Sequence, residues 1–263
     1  MVTDVRAPLF VPATRPERFA KAAPAGADAI IIDLEDAVAP AQKQSARQSL
    51  DTEFNTLPVI LRINAPGTPW FSEDLQAAKA LHPAAVMLPK AENPAAINTV
   101  ARDLPGLPLI ALIETAVGMA HAREIASLEG VVRLAFGSVD YCVDLGCRHQ
   151  RDSLLSARTE LVLAARLAGK VAPLDGVTTA LDRPGILRDD AQHARDLGMT
   201  GKLCIHPSQV PEVLAAFAPS PEELAWARQV LTASDGAVRI DGEMVDAPVR
   251  ARAEALLART TET

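Results

Sequence analysis

Glu114 directly follows Leu109–Ile113, a short apolar run of the kind that forms a fully buried strand. A carboxylate therefore stands where the chain should be leaving a core, and leaving it there without a cation costs several kcal/mol. Asp140, in the stretch FGSVD, follows the next apolar run. Two such carboxylates on neighbouring strands either share a proton or hold a cation. An oxygen-only pair suits Mg²⁺, which takes one or two carboxylates and completes its shell with water or substrate. The plainer alternative pairs Glu114 with an arginine and uses Asp140 to cap the next helix, and spacing leaves both open.

Arg62, in LRINAPG, also ends an apolar run. A guanidinium there could grip a substrate carboxylate or stabilise a developing oxyanion. It could also pair with Glu35 or Asp36 of DLED, which would then orient the cation rather than take part in chemistry. Arg15, Arg18 and Lys21 follow the first apolar run within PATRPERFAKAA. By default they form a solvated basic face, but at a site's rim they could receive the phosphates of a nucleotide-like carrier. His206 ends the last run and is expected to be a hydrogen-bonded barrel histidine rather than a metal ligand.

The elements that must position these residues alternate regularly. Candidate strands are PLFVP (8–12), DAIIIDL (28–34), PVILRIN (58–64), AVMLPK (85–90), PLIALIE (108–114), VVRLAFG (131–137), LDGVT (174–178) and GKLCIH (201–206). Most are continuously apolar, the mark of parallel strands covered on both faces. Amphipathic segments separate them. SLLSARTELVLAARLAG is one, with Leu154, Leu155, Leu161, Val162 and Ala165 spaced to share a face. Pro16 and Pro94 stand at expected helix starts, and Gly169 and Gly198 at expected stops. The pattern predicts an α/β fold, a (β/α)8 TIM barrel over residues 1–218 with a C-terminal helical extension over 219–263. A doubly wound open sheet is the runner-up, because strand count alone does not establish closure. In a barrel of this kind the site forms at the C-terminal ends of the strands, where the polar residues recur. The extension exceeds what closure requires, so it is either a packing cover or a flap that reaches an active site.

Composition narrows the function. The 263 residues carry a net charge of -7, 49% hydrophobic residues and only 3% aromatic ones. No basic face of the size that nucleic acid needs is encoded. No apolar run approaches the roughly 18–20 residues of a membrane span. MVTDVRAPLF lacks the apolar segment of a signal peptide. The three cysteines, Cys142, Cys147 and Cys204, form no C-x-x-C pair. A cytoplasmic protein with reduced thiols is expected.

LFVPATRPERFAKA, DAIIIDLEDAV, LRINAPGT, VMLPKAE, IALIETAVG, LCIHPSQV and DGEMVDAPV, in that order, resemble the citrate lyase β-subunit-like family of pyruvate/phosphoenolpyruvate-superfamily aldolases. The resemblance implies a trimeric barrel that binds Mg²⁺ through Glu114 and Asp140, with Arg62 on the 2-oxo acid. It implies that the basic residues of the first loop approach coenzyme A. It further implies that Asp246, of the MVD motif, enters a neighbouring subunit's site as acid/base. The implied reaction is reversible cleavage of a short 3-hydroxyacyl-CoA, such as malyl-, citramalyl- or citryl-CoA, into acetyl-CoA or a homologue and a 2-oxo acid. Alternatives are a malate-synthase-like condensation with thioester hydrolysis, the β component of a carrier-protein-dependent lyase complex, or a non-catalytic binder of CoA or a 2-oxo acid. Val139 and Ala180 stand where the family often has acids, and YCVDLGCRHQRD is not its usual wording. The resemblance therefore does not name the substrate.

Overall fold

Eight parallel strands pair in sequence order: β1 (Leu9–Pro12), β2 (Ile30–Asp33), β3 (Val59–Arg62), β4 (Ala85–Leu88), β5 (Leu109–Ile113), β6 (Val131–Phe136), β7 (Val171–Asp175) and β8 (Gly201–Lys202). They are seen in a computed structural model that describes residues 2–52, 57–183, 185–232, 238–240 and 243–258. The sheet closes on itself. Lys202 N donates to Arg6 O at 2.8 Å, Cys204 N to Pro8 O at 2.9 Å and Phe10 N to Cys204 O at 2.9 Å, joining the last strand to the first. Those bonds exclude the open sheet and establish the (β/α)8 barrel.

Between and after the strands run α1 (Lys43–Gln48), α2 (Phe71–Leu81), α3 (Pro94–Asp103), α4 (Ala116–Ala120), α5 (Ala122–Ser127), α6 (Ser138–Leu145), α7 (Arg151–Leu167), α8 (Ile186–Asp196), α9 (Val210–Phe217), α10 (Pro221–Thr232) and α11 (Ala247–Ala258). The residues of β2 to β5 are buried on both faces, as helix-covered parallel strands require. Ile31, Ile60, Met87, Ile110, Leu112, Ala135, Leu174 and Leu203 meet in one cluster inside the barrel. Helix punctuation follows the expected residues. Asn93 accepts from the N–H groups of Ala95 and Ala96 at the start of α3, and Gly169 and Gly198 take positive φ after α7 and α8.

Two expectations need correction. The seventh strand is Val171–Asp175 rather than 174–178, because the ladder tolerates Pro173 in mid-strand and Gly176 already belongs to the turn. Leu155 is exposed, and the buried face of α7 is instead Leu154, Ala157, Arg158, Leu161, Ala164 and Ala165. An arginine thus occupies a core position of that helix. Arg158 Nε donates to Asp175 Oδ1 at 2.8 Å, and Lys202 Nζ reaches Asp175 Oδ2 at 2.7 Å. The ends of β7 and β8 therefore carry charge as well, two buried cations on one carboxylate.

The chain divides into two units, Met1–Ala215 and Ala216–Thr263. In the second, α10 packs on α11 around Ala227, Val230, Val245, Ala253 and Leu256. It also holds a two-stranded antiparallel sheet, β9 (Val238–Ile240) and β10 (Glu243–Val245), within the polar stretch 234–249. Residues 234–237, 241 and 242 of that stretch lie outside the described residues. Among the described residues no helix is long and apolar enough to cross a membrane.

At the N-terminal end of the barrel, Arg133 is fully buried on β6. It donates to Ala172 O at 2.9 Å, Val5 O at 2.6 Å and Thr200 Oγ1 at 2.9 Å. Burial pulls its pKa down to about 10, still far enough above neutrality to keep it charged. Removing it takes the donor from the buried Val5 O and from Thr200 Oγ1, and leaves Ala172 O with the Thr200 hydroxyl alone. Arg133→Leu is expected to lower the unfolding free energy by about 3 kcal/mol in urea titrations. A loss below about 1 kcal/mol would show that the bottom of the barrel does not depend on it.

Candidate active site at the barrel mouth

β2 and β3 pair in a register that sets Asp33 directly beside Arg62 at their C-terminal ends. Arg62 Nε and Nη2 each lie 2.7 Å from an Asp33 oxygen, a two-pronged pair that fixes the guanidinium plane. Asp33 also accepts the N–H groups of Glu35 and Ala37, so its oxygens are fully engaged. The remaining nitrogen, Nη1, lies 3.0 Å from Glu35 and 3.3 Å from Asp36. The DLED segment thus holds Arg62 in place, as its sequence suggested. Burial alone would favour the neutral guanidine, but Asp33, Glu35 and Asp36 outweigh it and raise the pKa.

The strand-end turns are tied down from behind. Lys43 Nζ donates to Leu34 O, Glu35 O and Asn64 Oδ1, each at 2.7 Å, binding the loop after β2 to the one after β3. Asn64 N in turn donates to the buried Asp74 of α2 at 2.8 Å.

The cation that meets Glu114 is Lys90. Its backbone N–H donates to Glu114 Oε1 at 2.8 Å, and its ammonium lies 3.7 Å from the same oxygen. To aim that N–H, Lys90 adopts a left-handed backbone, φ 46°, which costs a non-glycine residue about 1–2 kcal/mol. The ammonium is also 4.0 Å from both Glu35 and Asp140. Burial would lower the Lys90 pKa, and these three carboxylates raise it instead. The sequence displayed Lys90 as a strand-end residue but gave it no role. The signal was a lysine at the position where adjacent strands end in acids.

Three of the expected site residues therefore come together. Arg62, Glu114 and Asp140 line one cavity of about 450 Å³ at the C-terminal ends of the strands, walled by Phe10, Leu112, Phe136 and Leu203. Asp140 lies in the first turn of α6, half-exposed, and Gly137 rather than Asp140 is the cap residue. Glu114 is almost wholly buried, and burial with the nearby Asp140 pushes its pKa up to about 7 against the pull of Lys90. Burial pushes Glu35 up to about 8, despite Arg62, and among the described residues its Oε2 accepts no aligned hydrogen bond. Gly137 leaves room for this arrangement, since a Cβ there would overlap the Glu114 side chain.

These groups offer a hard divalent cation what it needs: carboxylate oxygens, a shortage of compensating charge and open space for water or substrate. Among the described residues no set of three or more His, Cys, Asp or Glu side chains closes around one point. A metal at this mouth would therefore take only part of its shell from the protein.

The other expected residues lie elsewhere. Arg15, Arg18 and Lys21 are exposed, in and just before a 3-10 turn (Pro16–Lys21) that follows β1 at the same end of the barrel. His206 accepts from Ser208 N at 3.2 Å and caps the turn after β8, the structural role expected of it. Asp246 belongs to the second unit, where its Oδ1 accepts from Val249 N at the start of α11.

A family model described as HpcH/HpaI aldolase/citrate lyase matches residues 6–207. A citrate lyase subunit beta-like protein of Mycobacterium tuberculosis is 45% identical over 97% of this chain and 95% of its own length. A (3S)-malyl-CoA thioesterase of Cereibacter sphaeroides is 36% identical over 92% and 89% of the two chains. Among solved structures, CitE from Mycobacterium tuberculosis in complex with magnesium, acetoacetate and coenzyme A superposes with a TM-score of 0.88 at 41% identity, covering 98% and 99% of the two chains.

In the metal-free protein, Glu114 and Glu35 hold protons up to about pH 7 and about pH 8, whereas carboxyls of this type ionise near 4.5 when unfolded. Between those values the folded state binds more protons than the unfolded one. Stability is then greatest below the unfolded value and falls as the pH rises through 7 to 8. Urea titrations in EDTA are expected to show this decline between pH 5 and 8, and Glu114→Gln should flatten it by about 2 kcal/mol across the range. An unchanged slope in the variant would locate the excess proton elsewhere.

Proposed function

The chain belongs to the HpcH/HpaI aldolase/citrate lyase family, and on that premise we propose that it is a Mg²⁺-dependent lyase cleaving a short 3-hydroxyacyl-CoA into acetyl-CoA, or a homologue, and a 2-oxo acid. The observation that carries the proposal is the meeting of Glu114, Asp140 and Arg62 in one cavity at the barrel mouth. Glu114 and Asp140 are the residues that hold the metal. Bound there, Mg²⁺ supplies positive charge to the substrate oxygen that changes from hydroxyl to keto.

The chain's own groups divide the remaining work. Arg62, immobilised by Asp33, presents Nη1 to the carboxylate of the 2-oxo acid product. The apolar wall of Phe10, Leu112, Phe136 and Leu203 excludes water from the breaking bond. Cleavage removes the hydroxyl proton, breaks the bond between the carbinol carbon and the carbon next to the thioester, and leaves that second carbon to be protonated. Asp246 is assigned this proton transfer, donated from a neighbouring copy in a trimer. Arg15, Arg18 and Lys21 are assigned to the phosphates of coenzyme A, which their exposure and charge suit. The extension over 219–263 is the flap that delivers Asp246, and the enzyme is placed in the cytoplasm.

Thioester hydrolysis is the second reading, favoured by the likeness to a (3S)-malyl-CoA thioesterase. Acetyl-CoA and free CoA, measured together, separate the two. Incubation with malyl-, citramalyl- and citryl-CoA is expected to release acetyl-CoA with Mg²⁺ and none with EDTA. Release of free CoA alone would select hydrolysis, and no turnover of any of the three would overturn both readings. Asp140→Asn should keep the fold, since Asp140 is half-exposed and forms no hydrogen bond among the described residues. It should weaken Mg²⁺ binding by about 100-fold or more in calorimetry, at or above the upper end of what losing an outer partner costs. Equal Mg²⁺ affinity would remove Asp140 from the ligand set.

A further inference from the structure

A second pocket, of about 220 Å³, opens at the same end of the barrel between the N-termini of α7 and α8. His149, Arg151, Arg158, Thr179, Arg183 and Asp190 line it. It adjoins the barrel mouth, because Thr179 lines both cavities and the His149 ring nitrogen Nε2 lies 2.9 Å from the hydroxyl of Ser138, a residue of the mouth. None of the groups assigned to the lyase reaction uses this pocket.

Its charge is unbalanced. Arg158 must share Asp175 with Lys202, so two buried cations answer to one carboxylate. Arg158 is 4% exposed, and its Nη1 has no hydrogen-bond partner among the described residues. Asp190 is already engaged, accepting from Thr178 Oγ1 at 2.9 Å and lying 3.6 Å from Arg151. Arg183 forms no ion pair among the described residues. The first residues of α7 and α8 add uncapped N–H groups, since neither Gln150 nor Gly185 supplies a side-chain cap. His149 is kept neutral by burial and by the charges of Arg158 and Lys202, so it offers one donor without adding charge.

A buried cation with an open donor, an unpaired arginine and two helix N-termini around one small cavity are the elements of an anion site. We propose that this pocket binds the second carboxylate of a dicarboxylic 2-oxo acid, whose oxo-acid end lies at Arg62 in the mouth. The proposal rests on the lyase reading and sharpens it, because the thioester cleaved must then carry a carboxylate that a malyl group lacks. Arg183 and Arg151 are the specificity-determining residues. Ala180, which also lines the pocket, is small and brings no charge that would repel the ligand.

Binding to the Mg²⁺-loaded protein tests this by calorimetry, with pyruvate, oxaloacetate, 2-oxoglutarate and 2-oxoadipate as probes. At least one dicarboxylate should bind about 10-fold or more tightly than pyruvate. Arg183→Gln and Arg151→Gln, both exposed positions, should remove that advantage and leave pyruvate unchanged. No advantage for any dicarboxylate, or an equal loss for pyruvate, overturns the proposal. Inorganic phosphate serves as the rival anion: Arg183-dependent phosphate binding without a dicarboxylate advantage would give the pocket to a phosphoryl group and overturn it equally. Pyruvate binding is the control on the underlying reading. If pyruvate fails to bind, the lyase reading falls; if pyruvate binds and chain length makes no difference, only the second-carboxylate site falls.

Discussion

Compensation of buried negative charge governs the mouth of this barrel. Asp33, Glu35 and Glu114 are each less than a tenth exposed, and Asp36 and Asp140 stand beside them. Against these five carboxyls the structure sets Arg62 and Lys90. Even with Lys43 nearby, these cations do not offset burial and the like charges, a shortfall that leaves the pKa values of Glu35 and Glu114 raised, chiefly by burial. The same shortfall is an attraction for any cation that enters. Stability and affinity are therefore opposed at this point, as is usual where a fold holds like charges together for use.

The rest of the scaffold serves that concentration of charge. Parallel register sets Asp33 against Arg62, the Lys43 ammonium clamps the turns behind them, and the left-handed backbone of Lys90 directs an N–H at Glu114. Glycine at 137 is required because the Glu114 side chain fills the space a Cβ would take. Each device is local and small. Together they fix charged groups at or just past the strand ends, the kind of positioning that catalysis needs.

Much of this was legible in the sequence, and the residues that were not share a cause. Continuous apolar runs marked most strands because both faces are covered, and polar residues at their ends marked the mouth. The seventh strand was displaced because Pro173 reads as a break, yet a short strand in a ladder can carry one missing donor. Arg158 was overlooked because a charged residue on the inner face of α7 contradicts the amphipathic pattern, and only Asp175 and Lys202 explain it. Closure of the sheet and the role of Lys90 depend on contacts between segments distant in sequence, which periodicity does not encode. Arg62, Glu114 and Asp140 were found because each stands at or shortly after the C-terminal end of an apolar run, a regularity that one dimension preserves.

Barrel closure also constrains the order in which the protein can be made. The outer edge of β1 is satisfied by residues 202–204, and Arg133 ties the preceding Val5 carbonyl to the far side of the sheet. While a ribosome is still extending the chain, β1 can pair with β2, but its other edge stays open until more than three-quarters of the polypeptide has emerged. An open parallel edge is a template for association with other nascent chains. Synthesis thus exposes that edge for seconds before the last strand arrives to seal it. The short β1, only four residues long, keeps the template small throughout that interval.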